Sequence, residues 1–157
     1  MNRWITNVVQ RGVSDLNLYT NVSIKSIRVY VHIFPEEMFF SVTLVKLKLR
    51  SERYVYWDKS FLPMLKSLDI DSDLILFFAD FLEIIPSFLV LEELRIHNLE
   101  WDKADVTVSS ASLRKLSLHC TSCGGLLNPR SVSFDTPNLL SFDYSDLVAE
   151  DYPLDIS

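Results

Sequence analysis

Leu91-Glu92-Glu93-Leu94-Arg95-Ile96 decides the fold, because its pattern returns five more times along the chain. Apolar residues stand at its first, fourth and sixth positions. The same spacing is found in Val13-Ser14-Asp15-Leu16-Asn17-Leu18, Leu44-Val45-Lys46-Leu47-Lys48-Leu49 and Leu65-Lys66-Ser67-Leu68-Asp69-Ile70. It is found again in Leu113-Arg114-Lys115-Leu116-Ser117-Leu118 and Leu139-Leu140-Ser141-Phe142-Asp143-Tyr144. The last two apolar residues flank a polar one, which is the alternation of a strand buried on one side. The first apolar residue anchors the turn leading in. One such strand cannot bury its apolar side alone, so neighbours must stack and share a core.

The hexamers start 31, 21, 26, 22 and 26 residues apart. All but the first step fall within the roughly 20–29-residue period of leucine-rich repeats. The expected fold is therefore α/β: a short leucine-rich-repeat solenoid with a parallel concave β-sheet and a mixed strand/helix convex side. We read residues 1–157 as a single such domain of about six repeats. On the return limbs, Ser72 or Asp73 is placed to cap a helix running to about Ile85 and ended by Pro86. Its expected sided residues are Leu76, Phe77, Ala79, Asp80, Glu83 and Ile84. Residues 26–33, 53–57, 105–108 and 132–135 read as extended. Residues 2–10 read as a short helix with Trp4, Ile5 and Val8 on one side and Gly12 as its stop, forming an N-terminal cap over about 1–12. Residues 145–157 form an acidic tail with Pro153 and no apolar cap.

The composition suits a packed domain: 48% of 157 residues are apolar and 23% are charged. The net charge of −6 argues against a polyanionic partner, so neither nucleic acid nor an anionic membrane surface is expected. The most apolar stretch, residues 74–91, is interrupted by Asp80, Glu83 and Pro86 and does not read as a membrane span. Two cysteines, Cys120 and Cys123, are no disulfide framework, and the start of the chain does not read as a secretory signal. A reducing compartment, cytoplasmic or nuclear, follows as the expectation.

Chemistry is harder to find. Three glycines, Gly12, Gly124 and Gly125, cannot build a dinucleotide fingerprint or a P-loop. Cys120 and Cys123 supply half of a zinc site. His97 and His119 follow the last apolar residue of adjacent hexamers, roughly 5 Å apart by strand spacing. Cys120 should point to the other side from His119, which breaks a four-ligand set. No metal, no cofactor and no catalytic residues are expected, and the chain reads as no enzyme. The paired tyrosines Tyr54 and Tyr56 are candidate partner anchors, with the convex core as the alternative.

The better binding candidates come from repeat geometry. The polar residue within each strand should face the concave surface: Asn17, Lys48, Asp69, Arg95, Ser117 and Asp143. A second ladder adds Arg50, Asp71, His97 and His119. Mixed charges arranged this way suit protein recognition.

Further stretches carry a family likeness. Arg3-Trp4-Ile5, Phe34-Pro35-Glu36-Glu37-Met38-Phe39, Leu62-Pro63-Met64-Leu65-Lys66-Ser67-Leu68, Val90-Leu91-Glu92-Glu93-Leu94 and Thr136-Pro137-Asn138-Leu139 stand in order along the chain. Together with the hexamers, the sequence resembles the leucine-rich-repeat region of plant F-box/LRR/FBD-type proteins. It departs from that family at Phe88-Leu89, where the family has Cys-Pro, and neither the F-box nor the FBD segment is recognised. The resemblance implies a protein-protein interaction module, the substrate-recognition region of an F-box-type ubiquitin-ligase receptor. A ubiquitination substrate or other protein is then the expected partner, and adaptor and cullin association is not assigned to these residues. The alternative is a truncated or decayed paralogue with no retained ligase role.

Overall fold

The computed structural model describes residues 3–20, 34–51, 57, 59–72, 78–99, 105–120 and 131–145. Every hexamer contributes a strand. In chain order these are β1 (Asp15–Thr20), β2 (Lys46–Ser51), β3 (Ser67–Ser72), β4 (Glu93–Leu99), β6 (Lys115–Cys120) and β8 (Ser141–Ser145). They form one six-stranded sheet in that order, each parallel to the next. Parallel neighbours require a crossover, and the segments between hexamers supply it. Two of those segments contain strands of their own, β5 (Asp105–Ser109) and β7 (Ser131–Asp135), which pair in parallel as a second sheet.

Register is fixed by a backbone device that repeats five times. The carbonyl just before each strand accepts two N–H groups from the start of the next copy. Ser14 receives Val45 and Lys46, at 2.8 and 2.9 Å, and Val45 receives Lys66 and Ser67. Lys66 receives Glu92 and Glu93, Glu92 receives Arg114 and Lys115, and Arg114 receives Leu140 and Ser141. Equal residues of successive copies are thereby brought side by side whatever the length of the segment between them.

The inward residues of the hexamers form continuous apolar rows. Leu16, Leu47, Leu68, Leu94 and Leu116 are buried, as are Leu18, Leu49, Ile70, Ile96 and Leu118. The hexamer-opening leucines Leu44, Leu65, Leu91 and Leu113 are wholly buried. Each such side chain contributes about 1.5–3 kcal/mol by leaving water. Behind them lies an aromatic cluster in which Trp57 meets Phe39 at 4.8 Å, Phe81 at 5.5 Å and Phe88 at 6.1 Å. The rows weaken at the last strand, where Phe142 is 48% exposed at a position buried in the other five copies.

The helices depart from expectation in their facing. α1 (Arg3–Gln10) buries Ile5 and Val9, whereas Trp4 is exposed. Gly12 follows with φ +78°, the left-handed geometry that ends a helix, and its N–H reaches the Val9 carbonyl at 2.9 Å. α2 (Glu36–Phe39) was not anticipated; Pro35 precedes it and Glu36 and Glu37 stand at its positive end. α3 (Phe78–Ile84) runs into a 3₁₀ turn over Ile85–Ser87. Pro86 sits within that turn rather than ending the helix. The buried side is Phe81, Leu82 and Ile85, with Phe88 beyond, and Phe81 and Phe88 reach Trp57; Glu83, expected on the sided face, is exposed. Among the described residues, no helix is long and apolar enough to cross a membrane. The expected features at residues 26–33, 53–56, 73–77 and 146–157, with Tyr54, Tyr56 and Cys123, lie outside the described residues.

Candidate functional site

The outward residues of the hexamer strands stand in rows across the sheet. Alternation puts them opposite the buried leucines, and the shared register lines them up. The middle row is Asn17, Lys48, Asp69, Arg95, Ser117 and Asp143. A second row is Tyr19, Arg50, Asp71, His97, His119 and Ser145. All ten candidate binding residues therefore fall on one open face. A third row, Asp15, Lys46, Ser67, Glu93, Lys115 and Ser141, lies on the same side. Those six residues, with Tyr19 and Ser145, were missed. The alternation that selected the middle row extends two residues either way and would have found them.

Charges on this face are largely matched within it. Lys48 Nζ lies 3.0 Å from Asp69 Oδ2 and Arg50 Nε 3.8 Å from Asp71 Oδ2. Arg95 approaches Asp69 Oδ2 at 4.0 Å and Glu93 Oε1 at 3.5 Å. Asp69 is the hub: its side chain is 17% exposed, and its Oδ1 is buried without a hydrogen-bond partner. A carboxylate with one oxygen buried and unsatisfied is costly, and the cations on its other oxygen offset that cost.

His97 and His119 stack across β4 and β6, ring centroids 5.0 Å apart and planes 4° from parallel. His119 is held at both ring nitrogens, Nε2 at 2.9 Å from Ser117 Oγ and Nδ1 at 2.8 Å from Ser145 Oγ. Asp143 Oδ2 lies 3.4 Å from the same Nε2. His97 Nε2 is 4.0 Å from Asp69 Oδ1. Burial pushes the His97 imidazole below its ordinary range; Asp69 pulls the other way, and the neighbouring His119 adds to the lowering. The register of β4 on β6 slips just after His97, between His97 and Leu99, and such a bulge re-aims the side chains beside it.

The face can therefore present mixed charge, hydroxyls and imidazole edges to a partner. Among the described residues, no group of three or more His, Cys, Asp or Glu is placed to hold a metal ion. Cys120 ends β6, and its companion Cys123 lies outside the described residues.

Comparison with known proteins adds to this geometry. An F-box/LRR-repeat protein of Arabidopsis thaliana is 56% identical over 158 residues, which cover 98% of this chain and 33% of the relative. A second F-box/LRR-repeat protein of that plant is 56% identical over 160 residues, covering 99% of this chain and 26% of the relative. An Arabidopsis F-box protein is 46% identical over 158 residues, covering 98% and 32%. The chain thus spans about a third or less of the length of these relatives. No family model and no solved structure matches it.

Proposed function

We propose that this chain, kin to the plant F-box/LRR-repeat proteins along nearly its whole length, is a protein-binding repeat module that acts as the substrate-recognition region of an F-box-type receptor. In this reading the six-stranded sheet is the concave side of a leucine-rich-repeat solenoid. One protein partner lies across Asn17, Lys48, Arg50, Asp69, Asp71, Arg95, His97, Ser117, His119 and Asp143. A reducing compartment, cytosol or nucleus, is where it works.

The observation that carries this reading is the separation of duties within each strand. Inward leucines and isoleucines hold the stack, while outward polar residues in register make one continuous face. Outward residues can vary without disturbing the core, which is what a recognition surface needs. Internally matched charges suit a partner of mixed polarity, since a strongly charged one would have to break existing pairs.

Affinity purification from the plant tests it, comparing the intact chain with Arg50→Ala/Arg95→Ala/His97→Ala/His119→Ala. We expect a protein held by the intact chain and lost from the folded variant. Equal capture by both would overturn the assignment of this face. Capture of nothing specific by either would favour a paralogue without a retained ligase role.

A further inference from the structure

The stacked imidazoles are unequally satisfied. His119 has a hydroxyl at each ring nitrogen, whereas His97 Nε2 stands 4.0 Å from Asp69 Oδ1. That gap is about 1 Å too long for a hydrogen bond. The oxygen across it is itself buried and unpartnered. A buried carboxylate oxygen on β3 thus lacks a donor, and the His97 ring beside it on β4 can supply one by turning toward it.

We propose that His97 is a proton-operated switch on the open face. Neutral, it lies in the stack with His119; protonated, it turns out of the stack and donates to Asp69 Oδ1. The donated bond satisfies a buried carboxylate oxygen, which is the gain that drives the turn.

The surrounding charges set when it happens. From β3, Asp69 and Asp71 favour the charged ring; His119 on β6 and Arg95 on β4 oppose it, and burial opposes it most. Glu93 is engaged by Arg95, Lys48 and Arg50 partly neutralise the two aspartates, and Asp143 on β8 serves His119. The switch is therefore thrown below the ordinary imidazole range. Its consequence for binding rests on the reading of the open face as a docking surface, but the switch itself is a property of the free chain.

Side-chain ¹H–¹⁵N and NOE spectra of the whole chain between pH 8 and 5 test it, with His97→Gln and His119→Gln assigning signals among the three histidines. The His97 midpoint should lie below about 6.5. The NOE between the two rings should vanish as His97 titrates, while its Nε2 proton becomes protected. In Asp69→Asn the midpoint should fall further, by roughly half a pH unit or more, with the ring NOE retained. An inter-ring NOE that survives His97 titration in the unaltered chain would overturn the proposal. That result is read on the unaltered chain without a partner, so its failure is distinct from failure of the binding reading.

Discussion

Thr43 shows how a single side chain ties one copy to the last. Its Oγ1 donates to the Val13 carbonyl at 3.1 Å, and its N–H reaches Ser41 Oγ at 3.3 Å. Ser112, at the same place before β6, donates to the Phe88 carbonyl at 3.2 Å, and Asn138, before β8, donates to the Ala111 carbonyl at 2.8 Å. Thr43→Val keeps the shape and leaves the Val13 carbonyl without this donor. We expect a loss of about 1 kcal/mol in urea unfolding, with an unchanged slope. His97 sets a second expectation. Its folded pKa lies below its unfolded value, so its stabilising contribution is present above the unfolded value near 6.5 and is lost as pH falls through the lower, folded one. Unfolding free energy should therefore decline between pH 7.5 and 5, and His97→Gln should remove that part of the decline. The side on which His97 lies was legible in the alternation that continues from its hexamer, whereas Thr43, Ser112 and Asn138 precede theirs and were not singled out. The side-chain contacts were not legible: that Lys48 reaches Asp69 at 3.0 Å, and that His97 stands 4.0 Å from it, depends on side-chain reach across strands that no periodicity announces.

At the scale of elements, burial predicts an uneven response along the sheet. Leu94 in β4 is 1% exposed between two packed neighbours, whereas Phe142 in β8 is 48% exposed. Leu94→Ala should cost about 2–5 kcal/mol through lost contacts and a cavity. Phe142→Ala should cost less than about 2 kcal/mol, since much of that ring is already in water. Equal losses in thermal or urea unfolding would mean that the last strand is packed like the middle ones. The strands were readable because their signal is repeated six times. The face of α3 was misread because Leu74, Ile75, Leu76, Phe77 and Phe78 are apolar all round and hide the period. The contacts that decide its side, Phe81 and Phe88 on Trp57, join residues twenty-four and thirty-one apart in sequence. α2 has four residues, too few for a periodic signal.

In the whole molecule, six copies of one hexamer stack side by side so that their polar residues share a face. The similarity to F-box/LRR-repeat proteins spans about a third or less of those chains. Asn17 and Asp143 stand at opposite ends of the middle row, with five strand-to-strand steps between them. At about 4.8 Å per step their backbones should lie about 24 Å apart, or slightly less on a concave surface. The decisive measurement is the distance between spin labels at Asn17→Cys and Asp143→Cys, with Cys120→Ser and Cys123→Ser removing the native thiols. A single narrow distribution near that separation, allowing for label reach, is the result predicted. A broad distribution, or one centred far beyond it, would contradict the stacked order and with it the binding face.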